Sequence, residues 1–81
     1  MMKTYDAIKT RIFKLLDEKN FTIHRLALES SVPPSTIKNI LYGKSTNPGL
    51  VTIKMLCDGF KITLEEFVSC PEFKNLDSEI E

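Results

Sequence analysis

Eighty-one residues suffice for one small domain, and 42% hydrophobic content without a low-complexity tract points to a folded chain. No apolar run reaches the roughly 18 residues of a membrane span, and "MMKTYDAIKTR" lacks the apolar stretch of a signal peptide, so the expectation is a soluble, cytoplasmic protein. The net charge is zero but segregated: residues 1–61 carry ten Lys/Arg against five acids, and residues 62–81 carry Lys74 against six. No acid lies between Glu29 and Asp58, where Lys38, Lys44 and Lys54 fall, which suits an anionic partner on one face.

In chain order, Tyr5, Ile8, Ile12, Leu15 and Leu16 recur at helical spacing and predict an amphipathic helix over about residues 4–19. Thr22 reads as the N-cap of a short second helix with Leu26 and Ala27 inward. A turn at Ser30-Ser31-Val32 leads to Pro33-Pro34. The residue before a proline is pushed into the extended region that an N-cap needs, and proline at the first helical position loses only an already orphaned N–H. The pair therefore predicts a rigid start to a third helix that buries Ile37, Ile40 and Leu41 and ends at Gly43.

After the turn signals of "KSTNPG", Leu50, Ile53, Leu56, Cys57 and Phe60 predict a fourth helix. "TLEE", Thr63 to Glu66, is a capping box opening a fifth. No stretch alternates with period two, so strands are not expected. The fold class is all-α, five short helices over residues 1–69. The acidic tail 70–81 places Phe73, Leu76 and Ile80 at helical spacing, which suggests an extra C-terminal helix packed on the domain or across a dimer.

Several chemistries are poorly served. Cys57 and Cys70 are thirteen positions apart, outside any metal-type spacing, and His24 is the single histidine, so no metal or cofactor is expected. Both cysteines read as buried or half-buried thiols, and His24 as a surface residue. There is no Gly-rich phosphate loop and no nucleophile with a histidine placed to activate it, so no enzyme and no small-molecule substrate are expected. Phe13, off the apolar stripe of the first helix, reads as a satellite contact with Phe67 or the tail, or as part of a subunit interface.

The pattern from Ile12 to Val68, "FTIHRLALESSVPPSTIKNILYG", then "NPGLVTIKMLCDGF", then "ITLEEFV", resembles the phage repressor and Cro-like (XRE-type) helix-turn-helix domains. The resemblance implies a compact five-helix lambda-repressor-like fold with the helix-turn-helix in the second and third helices. It also implies a sequence-specific transcriptional regulator, a repressor in most such cases, binding double-stranded DNA as a homodimer with the third helix in the major groove. Carried over by position, the base-facing residues are Pro34, Ser35, Lys38 and Asn39. Thr22, Ile23, Thr36, Tyr42 and Lys44 fall where the family meets the backbone.

Three departures stand out. Ile23 replaces a frequent Gln; Ser31 replaces a Gly at a turn needing positive φ; and Leu16 and Leu41 replace an Arg–Glu pair that often joins the first and third helices. Two leucines at those positions are expected to touch. The alternative reading is a protein-interaction or antitoxin-like module on the same fold with weak DNA binding.

Overall fold

The computed structural model describes residues 2–80. Five α-helices follow one another: α1 Thr4–Lys19, α2 Ile23–Ser30, α3 Pro34–Leu41, α4 Leu50–Phe60 and α5 Leu64–Val68. A single 3-10 turn, Pro71–Phe73, comes after them. The expected helices are present with the expected order and caps.

Local chemistry sets most of the boundaries. Asn20, in the left-handed region at φ 57°, ends α1, and its N–H donates back to Asp17 and Leu16 carbonyls. Thr22 Oγ1 accepts from Arg25 N at 3.0 Å and opens α2. Thr63 and Glu66 satisfy each other's backbone amides across α5's first turn, at 3.0 and 2.9 Å. The other end of α5 is tied by Arg11 of α1, whose Nε and Nη2 donate to the Phe67 and Glu66 carbonyls at 2.9 Å each.

One core joins the helices. Ile12, Leu15 and Leu16 of α1 meet Leu26 and Ala27 of α2, Ile37, Ile40 and Leu41 of α3, Ile53, Leu56, Cys57 and Phe60 of α4, and Phe67 of α5. Leu16 and Leu41 are both buried members of this cluster. Phe21 stacks on Phe60, ring centroids 5.8 Å apart, and closes the core under the α1–α2 turn. Leu50, grouped with the inward residues of α4 by spacing, opens that helix but remains 71% exposed.

The tail departs from its expected form. Its helical spacing yields only the 3-10 turn, after which the chain extends and pairs with the N-terminal segment. Met2 and Leu76 form an isolated parallel bridge, and Asp77 N donates to Met2 O at 2.8 Å. A ten-residue helix is marginal alone, and this pairing satisfies backbone groups that such a helix would leave frayed. Phe73 packs on the core against Phe67 with ring centroids 5.9 Å apart, so Phe67's aromatic partner is Phe73. Phe13 is 44% exposed.

Candidate nucleic-acid interface

The turn between α2 and α3 is built from backbone constraints. Ser31 caps α2 at φ 60°, ψ 23°, the left-handed conformation expected of a Gly position, and its N–H donates to the Ala27 carbonyl. A non-glycine residue there costs on the order of 1 kcal/mol. Ser30, buried at the bend, accepts from Val32 N through its hydroxyl at 3.2 Å. Pro33 sits at φ −56°, ψ 142°, and Pro34 is the first helical residue, as the double proline predicts.

A residue remote in sequence makes this geometry possible. A Cβ on Gly59 of α4 would lie 2.8 Å from Ser30 Cβ and 3.0 Å from Ser30 Cα and N. The missing side chain lets α4 press against the bend. Nothing in the sequence marks Gly59, since a lone Gly within a helical pattern carries no sign of what it faces.

The exposed face of α3 carries Pro34, Ser35, Lys38 and Asn39, all open to solvent, while Ile37, Ile40 and Leu41 are buried behind them. Pro34 and Lys38, and Ser35 and Asn39, are four apart, so the four form one stripe on the first two turns. Thr36 is half-buried at the edge. Beyond the helix Tyr42 is 68% exposed and Lys44 is exposed. Thr22 is exposed but its hydroxyl is engaged as a cap, and Ile23 packs its side chain against the core. What α2 can offer an anion is therefore the unpaired amides of its first turn, those of Ile23 and His24, together with the helix dipole.

The cations divide into two groups. Lys14 pairs with Glu72, Lys54 with Asp58, and Arg25 with Glu29 at 2.9 Å while lying 4.7 Å from the Phe21 ring. Among the described residues Lys38 and Lys44 enter no ion pair. Lys54, grouped with them by sequence, is engaged within its own helix.

The end of α3 is held from two directions. Lys44 N and Ser45 N both donate to the Asn39 carbonyl, at 3.0 and 2.8 Å. Tyr5 of α1 donates its phenol to the Ile40 carbonyl at 2.5 Å. Gly43, at φ 86°, turns the chain away and stands beside that phenol, 3.9 Å from Tyr5 Oη at the position of a Cβ. Helical spacing places Tyr5 only in the α1 apolar stripe; its phenol is the one feature of the sequence that points to a polar partner.

Among the described residues no cluster of His, Cys, Asp or Glu could hold a metal, and no helix is long and apolar enough to cross a membrane. Cys57 is buried and Cys70 half-buried, and burial pushes both thiols above their ordinary pKa.

The fold has a solved counterpart. The crystal structure of prophage Lp1 protein 11 superposes with a TM-score of 0.78, covering 94% of this chain and 100% of that one at 24% identity. No curated protein sequence matches. The profile of the Cro/C1-type helix-turn-helix DNA-binding domain matches residues 11–72, from within α1 into the 3-10 turn. This chain belongs to the Cro/C1-type helix-turn-helix DNA-binding domain family.

Proposed function

We propose that the protein is a sequence-specific regulator of transcription, a repressor, that binds double-stranded DNA as a homodimer with α3 in the major groove. The observation that carries the reading is the α3 face: a solvent-open stripe on a rigidly started helix, with Lys38 within it and Lys44 beyond its end both outside any ion pair among the described residues. In this arrangement Lys38 donates to guanine O6 and N7, Asn39 pairs with adenine N6 and N7, Ser35 reaches a base or phosphate, and Pro34 offers apolar contact to a thymine methyl. Backbone contacts fall to the start of α2 around Thr22 and Ile23, to Thr36, and to Tyr42 and Lys44. The reading includes a cytoplasmic location, no catalytic activity and no cofactor. The prophage source of the structural counterpart suits a phage or mobile-element regulator.

Selection of duplexes from a random pool at moderate salt tests it. An enriched palindrome whose half-sites lie about one helical turn, 34–36 Å, apart is the expected result. A folded, soluble protein that enriches nothing would turn attention to the interaction-module reading. Leu28, Leu50, Val51 and Val68, all large apolar residues open to solvent, favour that second reading.

A further inference from the structure

α3 has eight residues, two turns, and so little intrinsic stability that its orientation is set by what holds it. Its last carbonyls have no partners within the helix and need donors from elsewhere. Lys38 O receives Tyr42 N, and Asn39 O receives the loop amides of Lys44 and Ser45; these are ties within a few residues. Ile40 O receives the Tyr5 phenol, from a residue 35 positions upstream. Among the described residues it is the sole side-chain hydrogen bond joining α1 to α3. The carbonyl it holds adjoins Asn39, at the end of the stripe proposed to read bases.

Tyr5 is itself footed. Its ring packs against the core and has Lys9 Nζ 5.4 Å from its centroid. One residue earlier α1 begins, and its N-cap Lys3 supplies no side-chain cap. The missing acceptor comes from the tail: Thr4 N donates to Glu79 Oε2 at 3.0 Å. Lys3 Nζ donates to Ser78 O at 2.6 Å, and the Met2–Leu76 bridge lies beside them. A continuous chain of bonds thus runs from the acidic tail, through the first turn of α1, to the last turn of α3.

We propose that Tyr5 is a positioning residue for the reading face, fixing the azimuth of α3 through the Ile40 carbonyl, with the Glu79 clasp as its footing. The role rests on the DNA reading of α3. Backbone contacts to phosphate tolerate a small rotation of a helix, whereas base-edge hydrogen bonds do not. The tie therefore acts on discrimination more than on affinity for DNA in general.

Tyr5→Phe keeps the ring and its apolar contacts and removes the one donor. The wild-type chain first selects its duplex from a random pool; both chains are then titrated with that duplex and with a scrambled one, and their amide exchange is compared. Tyr5→Phe is expected to weaken the selected duplex by about three- to tenfold, the scale of one neutral hydrogen bond, with the scrambled duplex within about twofold. Exchange should quicken at Tyr42, Lys44 and Ser45 and stay unchanged in α2 and α4. Glu79→Ala should move both readouts the same way by a smaller factor, while Glu79→Gln, which keeps an acceptor oxygen for Thr4 N, should not.

Equal weakening on both duplexes, or exchange at the α3 end untouched by Tyr5→Phe, would overturn the proposal and leave the DNA reading standing. A wild-type chain that enriches no duplex would remove the DNA reading and the positioning role with it. Should Tyr5→Phe unfold, the Glu79→Ala and Glu79→Gln pair decides by the same two readouts.

Discussion

The helix-turn-helix and the terminal clasp are held together by opposite means. From Thr22 to Gly43 the chain is set largely by residues acting on their neighbours: a hydroxyl cap three residues from its donor, a left-handed Ser31, and a proline that fixes the residue before it. The clasp is the reverse, with hydrogen bonds from Lys3 and Thr4 to the tail spanning 75 positions. Local devices fix shape before tertiary contacts exist; the clasp must wait for α1 and the tail to meet. The two regions should therefore differ in which substitutions break them and in what breaks first.

The largest effect is expected at Gly59, where the local scheme depends on one distant contact. Glycine to alanine inside a helix ordinarily gains about 1 kcal/mol. Here the added carbon meets Ser30 Cβ and backbone at 2.8–3.0 Å, in a turn already fixed by Ser31 and the prolines, so overpacking outweighs that gain. Gly59→Ala should lower stability by about 1 kcal/mol and Gly59→Val by on the order of 3. In a domain this size each 1 kcal/mol moves Tm by about 4–8 °C, so thermal melts separate the two variants. A Gly59→Ala protein more stable than wild type would show that α4 and the bend have slack between them.

Next come the side chains proposed to face DNA. Lys38→Ala and Asn39→Ala should each cost about 1–3 kcal/mol on the selected duplex and relax the preference at one base position. Lys44→Ala should weaken selected and scrambled duplexes alike, and reduce the slope of log K against log salt by about 0.9, one phosphate's share. A Lys44 variant with unchanged slope would remove that residue from the backbone contacts and leave the α3 stripe to be judged alone.

A smaller effect of opposite sign is expected at Ser31. Its backbone occupies φ 60° without glycine's freedom, and its side chain is exposed. Ser31→Gly relieves that strain but adds unfolded-state entropy, so the net gain should be a few tenths of a kcal/mol and no more than about 1. Chemical denaturation with unchanged m-value would measure it. A loss would mean that the hydroxyl, and not the backbone, decides at this position.

This contrast also explains what the residues disclosed in advance. Thr22, Pro33-Pro34 and the Thr63–Glu66 box announce their helices because each acts within three or four positions, and the α3 stripe follows once the helix start is known. Tyr5, Gly59 and Glu79 give no such notice. Each matters through a partner far along the chain: a carbonyl 35 residues on, a bend 29 residues back, an amide 75 residues back. The tail shows the same limit: Phe73, Leu76 and Ile80 carry helical spacing, yet the chain pairs its backbone with Met2 instead. Periodicity reports a shared apolar spacing, and competition between local and distant hydrogen bonds decides the backbone, which packs Phe73 on the core and leaves Ile80 86% exposed.

Acid should separate the two regions most gently. The Lys14 ammonium, then the Cys70 thiol and the backbone, hold the Glu72 carboxyl down to about 2 from the usual 4.5. The Thr4 amide lowers Glu79, and the Thr63 amide and hydroxyl lower Glu66. A carboxyl whose pKa is lower folded than unfolded binds fewer protons when folded. Its contribution is complete above the unfolded value and is lost as pH falls toward the folded one. For Glu72 that window runs from about 4.5 down to about 2. Glu72→Gln should therefore melt slightly below wild type at neutral pH, and the gap should close across that window. Two of the three lowered carboxyls anchor the tail, whereas only the Glu66 box is local to its helix. On acidification, amides near Asp77 and Thr4 should lose exchange protection before those of α2 and α3. Simultaneous loss in both regions would mean that the clasp and the helix-turn-helix unfold as one unit, joined by the shared core as well as by the bond from Tyr5 to Ile40.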